Sequence, residues 1–520
     1  MMSAPENLTS HGLGLGGRIL KMLGLNCRNM RWSITAEPFS SEILAQLRVT
    51  SCFHFFPSAF KGLVRMEDFT GMLTPSESHS SFPFYPVTPP LSSVPSETDL
   101  TLKVSTDVTR DDIPVVAVVG VGYVGKHLVS SFSSKYQVIG FDVSERRIQD
   151  LRHEFKGNEN VTFSRNQNNL IAATHFLISV PTLLRPNKSI DSSYLCDALE
   201  MVGRVARRGS AVVIESSVAV GMTRELVGPI ATKLGLFAGM SPEVCDIFTD
   251  QYLLMILTLT NAQLQRVDPG RTEPPIKSIP KIISGLDDIL PGSLDAINRI
   301  YSTIFDNVVT VSKPEVAEMM KLYENCQRMV CIAYANEMAD ACIAHGIDPY
   351  EVCSAASTKP FGYMPYAPGV GVGGHCIPVN PHYLLSNSSF PLLDACSQAM
   401  SNRPAKLAQR LIKSLPITER RSRVLVVGLG FKAGQSQLDN SPGVALVREL
   451  AISGAQIDLT WADALVKQEA VPQVPRLGEC EWNKSFLETF DVIVVAMKQH
   501  KMDFSLLAKL EGVRVESWCK

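Results

Sequence analysis

Residues 113–132 read "IPVVAVVGVGYVGKHLVSSF": an unbroken apolar run, a glycine turn, then apolar residues at helical spacing. A run of β-branched residues with no polar alternation is the pattern of a strand buried on both faces, which means a parallel sheet covered by helices. Gly120, Gly122 and Gly125 make GxGxxG at the turn, and Asp142 closes the next apolar run, "YQVIGFDVS", 22 residues beyond Gly120. In that context the first glycine permits the tight turn. The second lets a pyrophosphate reach the backbone, and the third lets helix and strand pack closely. The helix start offers free N–H groups to phosphate. A carboxylate at the end of the second strand suits ribose hydroxyls and repels a 2′-phosphate, so NAD is expected rather than NADP. The cofactor-binding candidates are Gly120, Val121, Gly122, Tyr123, Val124, Gly125 and Asp142.

Outward from this unit the α/β texture continues. "SERRIQDLRHEF" is a helix with Ser144 as its cap, and "HFLISVP" and "SAVVIESS" are further buried strands. Near Val311 the texture changes. Residues 312–346 form one long helix candidate, with a capping box from Ser312 and Glu315, Pro314 in the first turn and Gly346 at the stop. From residue 406 a second α/β pattern begins with "SRVLVVGLGFKAG", which has Gly428 and Gly430 but no third glycine in place. The expected organisation is a disordered Ser/Pro/Thr-rich leader (1–112), a Rossmann NAD domain (113–311), a central helical domain (312–405) and a C-terminal Rossmann-like domain (406–520).

At 520 residues the chain has room for about two to four domains. Its net charge of −2 argues against a general nucleic-acid or membrane-surface binder. Twelve scattered cysteines without a CxxC pair suggest a reducing compartment, the cytoplasm, and no metal site. The apolar run 252–260 is too short to span a bilayer. Residues 7–36, basic and without acid, weakly resemble a transit peptide.

"PGVGVGGHCIPVNP" (368–381) surrounds Cys376 with glycines and stiffens its exit with Pro378 and Pro381. By itself this is equally a structural turn with a bystander thiol or a reactive cysteine held against a ligand. Lys321 and Asn325 lie four apart on one helix face. Alone, Lys321 reads as a solvated lysine, Thr182 as a strand-end residue and Glu243 as a surface acid.

The ordered motifs "VAVVGVGYVG", "SVPT", "VIESSV", "SPE", "AEMMKLYEN", "YANEMA", "GVGGHCIPVNP", "GLGFK" and "NSPG" resemble those of the UDP-glucose/GDP-mannose dehydrogenase family over residues 113–500. The "GGHCIP" form is similar to the UDP-N-acetylhexosamine branch. The resemblance implies a four-electron oxidation of a sugar C6 alcohol to a carboxylate with two NAD⁺, through a thiohemiacetal and a thioester on Cys376. It gives Lys321 an oxyanion-stabilising role and Asn325 a positioning role. Thr182, which would also contact NAD, and Glu243 would serve water handling and acid–base work, and Lys321, Asn325, Gly373, Gly374 and Lys432 would contact a UDP-sugar or GDP-sugar substrate. It also implies a homodimer through the central domain.

Two positions depart from the family pattern: Asn380 stands where an aspartate is usual, and Asp439 where an arginine is usual. An amide cannot accept a proton as a carboxylate does, so the first oxidation would rely on Lys321 or water. Residues 244–265 match nothing in the pattern and read as a retained intron, with a genuine lid loop as the rival. Two other activities compete: a two-electron 3-hydroxyacid or 6-phosphogluconate-type dehydrogenase, which leaves Cys376 without work, and a binding-only pseudoenzyme.

Overall fold

Val116 and Val118 pack into one helical layer while Ala117 and Val119 pack into the other, and this two-sided burial is why the opening run carries no polar alternation. The computed structural model describes residues 107–109, 112–242 and 279–520. Glu243, the 244–265 segment and nearly all of the expected leader lie outside the described residues.

The first sheet is built in chain order from β1 (Val115–Val119), α1 (Tyr123–Phe132), β2 (Gln137–Phe141), α2 (Glu145–Glu154), β3 (Val161–Ser164) and β4 (His175–Ile178). A small hairpin follows, β5 (Leu183–Leu184) with β6 (Ile190–Asp191), then α3 (Ser193–Val205), β7 (Ala211–Ile214), α4 (Met222–Leu234) and β8 (Phe237–Met240). β9 (Lys281–Gly285), α5 (Ser293–Tyr301) and β10 (Val308–Thr310) complete it. Strand order is β10-β9-β8-β7-β4-β1-β2-β3. Six strands run parallel, as expected of a doubly wound sheet, but β9 pairs antiparallel with β8, and β10 runs parallel to β9. Apolar runs of this length do not encode strand direction, so that reversal has no signature in the sequence.

The helical layer consists of α6 (Pro314–Ala344), α7 (Pro349–Ala356), α8 (Asn380–Leu385) and α9 (Pro391–Ser414). α9 runs on across residue 405. The expected capping box does not form: α6 starts at Pro314 with Lys313 at the cap position and no side-chain cap. Glu315 is instead drawn to Arg224 of α4, 2.5 Å away. The C-terminal stop is as anticipated, with Gly346 at φ +69° just past the last turn.

The last unit comprises β11 (Ser422–Val427), α10 (Pro442–Ile452), β12 (Ile457–Ala462), α11 (Lys484–Leu487), β13 (Val492–Val495) and β14 (Arg514–Ser517). It is a four-stranded, all-parallel sheet in the order β12-β11-β13-β14. At the other end, Val108 N–H already donates to Arg208 O at 2.8 Å, so the chain touches the first sheet's loops ahead of residue 113. Among the described residues no helix is long and apolar enough to cross a membrane.

His175 on β4 is 3% exposed, with Nδ1 2.8 Å from the Thr174 hydroxyl. Burial, helped by the Arg299 charge, holds its pKa down at about 4 against the usual 6.5. Between those values the unfolded chain binds a proton that the folded chain refuses, so stability falls as pH drops from about 6.5 to about 4. The loss is about 3 kcal/mol. Urea midpoints measured across that range should decline more steeply for the wild type than for His175→Gln; equal slopes would remove His175 as the cause.

Candidate active site

The three glycines of the first turn divide their work as the fingerprint requires. Gly120 has φ +86°, and a Cβ there would stand 2.9 Å from Ser179 O. A Cβ on Gly125 would lie 1.9 Å from Gly120 O, an impossible contact that explains the third glycine by packing alone. A Cβ on Gly122 would meet nothing within 4 Å. That open space faces the start of α1, whose cap makes no side-chain bond and whose first turn carries no acid. An anion there meets the first N–H groups of the helix and the positive end of its dipole.

Asp142 sits at the end of β2 and accepts Val121 N–H at 3.1 Å and Ser144 N–H at 2.9 Å. Val121 is fully buried, so only its main chain can face a ligand, and Val124 packs partly on the same core. Tyr123 is exposed at the first turn of α1. These residues fit a dinucleotide whose pyrophosphate lies over Gly122 and whose ribose meets Asp142.

The second glycine turn repeats the geometry with one change. Gly428 has φ +86°, and the missing third glycine is Gly443, whose Cβ would lie 2.7 Å from Gly428 O. It is displaced because residues 431–441 loop out before α10 begins. Asp463 ends β12 as Asp142 ends β2, but it is 2% exposed and accepts N–H from Leu429 (2.8 Å), Gly430 (3.1 Å), Leu465 (2.8 Å) and Val466 (3.1 Å). Such a saturated carboxylate is a structural group.

α6 supplies the buried polar groups. Glu318, Lys321, Asn325 and Arg328 occupy one face and are 0, 2, 0 and 6% exposed. Glu318 caps α4, accepting Gly221 N–H at 2.6 Å and Thr223 N–H at 2.8 Å. Burial pushes its pKa up while those bonds pull it down, and the net direction is upward. Two turns further on, Asn325 donates to Asn380 Oδ1 at the start of α8 and accepts from Arg328. Sequence reading singled out Lys321 and Asn325 but missed Glu318 and Arg328. The i, i+3, i+7, i+10 spacing of the four was the available signal.

Cys376 is half-buried in the loop that enters α8, and its carbonyl accepts Val379 N–H (3.2 Å) and Asn380 N–H (2.9 Å). Tyr383, also missed from the sequence, is 1% exposed and donates its hydroxyl to Thr182 O at 2.8 Å. Burial pushes its pKa up to about 12, and the Cys376 thiol adds to the effect. Thr182 in turn donates to Ser217 O at 2.6 Å. The chain of contacts thus runs from the loops of the first sheet, through α8, to α6.

Gly373 and Gly374 lie against the C-terminal unit, where a Cβ on Gly373 would come 2.8 Å from Phe431 Cβ. Lys432 follows Phe431 and is 8% exposed. Of the expected site residues, only Glu243 lies outside the described residues.

Residues 115–241 match the UDP-glucose/GDP-mannose dehydrogenase family, NAD binding domain, and residues 315–396 match the central domain of the same family. The UDP-N-acetyl-D-glucosamine 6-dehydrogenase of Pseudomonas aeruginosa is 33% identical over 384 residues, covering 67% of this chain and 83% of that protein. This chain belongs to that family. It is an NAD-dependent oxidoreductase, and the resemblance drawn from its ordered motifs holds.

A UDP-N-acetyl-D-mannosamine dehydrogenase of Pyrococcus horikoshii is 29% identical over 353 residues, covering 64% of this chain and 79% of that protein. The solved structure of the UDP-D-ManNAc dehydrogenase from Pyrococcus horikoshii superposes with a TM-score of 0.63 at 22% identity, covering 78% of this chain and 99% of that one. It shares the fold.

Gly122→Ala should leave the melting temperature unchanged and weaken NAD binding about tenfold, or about 1.4 kcal/mol. Gly125→Ala should lower the melting temperature as well, because its Cβ meets main chain. Cofactor titration by fluorescence with parallel melting curves checks both; a destabilised Gly122→Ala would overturn the assignment.

Proposed function

We propose that the enzyme oxidises the C6 hydroxyl of a UDP-N-acetylhexosamine, or a closely related UDP-hexose, to the uronic acid, in two two-electron steps through a covalent intermediate on Cys376. The observation that carries this reading is the convergence of Cys376 and α8 on two sides. Asn380 bonds the α6 face that bears the buried Lys321, and Tyr383 bonds the Thr182 loop beside the NAD-binding sheet. The substrate class is supported by relatives named for UDP-N-acetyl-D-glucosamine and UDP-N-acetyl-D-mannosamine.

When bound, NAD⁺ would supply the acceptor for the hydride that leaves C6 in each oxidation. In the first, the hydroxyl proton passes to Lys321 in its neutral form or to water, because Asn380 carries an amide where the family pattern has a carboxylate. Its oxygen already accepts from Asn325, which leaves its N–H₂ group to donate. The Cys376 sulfur then bonds C6 of the aldehyde, the thiol proton leaves to solvent, and the carbonyl oxygen takes up negative charge beside the Lys321 ammonium. That oxyanion is where a buried, fixed cation contributes most. The second oxidation leaves a thioester on Cys376. Water cleaves it, releasing the acid and restoring the thiol. Thr182 and Glu243 are assigned to water handling and acid–base work at this stage. Gly373, Gly374 and Lys432 are assigned to contacts with the sugar nucleotide.

A second copy of the chain is the proposed partner. Val316, Met319, Tyr323, Tyr334 and Met338 recur on the face of α6 opposite its buried polar groups, and Tyr323 and Tyr334 are 70% and 61% exposed. An apolar stripe along a 31-residue helix fits a like helix from another protomer. The free thiols among the described cysteines fit the cytoplasm.

The full chain, and a form lacking residues 244–265, should be assayed against UDP-N-acetylhexosamines, UDP-glucose and GDP-mannose. Two NADH per sugar are expected. One NADH would indicate a two-electron dehydrogenase, and binding without turnover a pseudoenzyme. Cys376→Ser should bind the sugar nucleotide yet fall short of two NADH, and a full yield from it would refute the covalent role. Lys321→Ala should lower kcat about 10²- to 10³-fold, which steady-state kinetics would read directly.

A further inference from the structure

Asp439, the residue that departs from the family's arginine, reaches the loop that carries the thiol. Its carboxylate lies 3.2 Å from Nε2 of His375, the residue before Cys376. The same short segment grips that loop twice more: Gly374 N–H donates to Asp439 O at 2.8 Å, and Asn440 Nδ2 donates to Gly374 O at 2.9 Å. Asn440 holds φ +49° to do so, a conformation asparagine tolerates. The fit leaves little slack. A Cβ on Gly373 would come 3.0 Å from Pro442 at the start of α10, and one on Gly374 would come 3.1 Å from the Phe431 ring.

We propose that Asp439 is a positioning residue for the thiol: through its contact with His375, the residue before Cys376, the C-terminal domain sets how readily that sulfur ionises. The inference rests on Cys376 being the nucleophile. A cation next to a thiol favours the thiolate, the form that attacks carbonyl carbon. Asp439 and Cys376 are the titratable groups that act on His375 among the described residues, and both raise its pKa, the Asp439 hydrogen bond foremost. The same bond holds the Asp439 carboxyl below its usual range. A raised imidazole keeps its charge to higher pH than a free one and loses it as pH climbs through the raised value. The benefit to the thiol is therefore present below that value and disappears above it.

The test reads the thiol itself. The NAD-bound full chain is treated with iodoacetamide between pH 5.5 and 9, and alkylation of the Cys376 peptide is followed by mass spectrometry. Asp439→Asn and His375→Gln should each slow Cys376 alkylation about three- to tenfold at pH 7 and move its rise to higher pH. The double variant should be no slower than either single one, and Asp439→Glu should recover the wild-type profile. An unchanged pH profile in Asp439→Asn, or a change in it that His375→Gln does not share, would overturn the proposal. Failure of the underlying nucleophile assignment would appear elsewhere, as a full NADH yield from Cys376→Ser, whatever the alkylation profile shows.

Discussion

The Glu318 carboxylate sets the frame for the rest of the site. A fully buried carboxylate is costly unless its lone pairs are met. Here the cost is offset by two main-chain N–H groups at the start of α4, where the helix dipole also favours negative charge. Glu318 belongs to α6 and its partners belong to the NAD-binding unit, so this contact fixes the long helix against the cofactor's sheet. Lys321 lies one turn beyond it and Asn325 two turns beyond. Lys321 therefore inherits its position from the buried carboxylate one turn before it.

α6 inverts the usual amphipathic rule. Its buried face carries Glu318, Lys321, Asn325, Arg328 and Asn336, while an outer face carries Val316, Met319, Tyr323, Tyr334 and Met338. Small and apolar residues between them, Ala317, Leu322, Cys326, Met329 and Ala333, make the packing contacts with its neighbours. Burying such groups is costly unless they are answered inside the fold, and several of them are. Glu318 meets the end of α4, Asn325 is set between Asn380 and Arg328, and Asn336 accepts Gly369 N–H at 2.9 Å. The last two contacts fall at the two ends of the segment bearing Cys376, so the polar face that costs α6 stability is also what holds the thiol's loop.

The two sheets share one turn design but differ in what the terminal aspartate has left to offer. Asp142 has two main-chain donors and borders the open space over Gly122, whereas Asp463 is enclosed by four. Looping out residues 431–441 carried the third glycine to position 443 and pushed Phe431 and Asp439 against the Cys376 loop. The second unit thereby presents a wall to the site where the first presents a phosphate cradle.

The sequence by itself determined the NAD-binding turn, the strand–helix alternation, the long helix and its stop, and the family, because each rests on local spacing: glycines at fixed offsets, buried apolar runs, motifs in order. Ser144 caps α2 and Gly346 ends α6 for reasons contained within a few residues. Only the tertiary structure decided the reversal of β9, the orientation of α6, the displaced role of Gly443, and the meeting of Tyr383 with Thr182 and of Asp439 with His375. Those are contacts between residues up to about two hundred positions apart, and no local propensity records which distant carbonyl or carboxylate will answer a buried polar group.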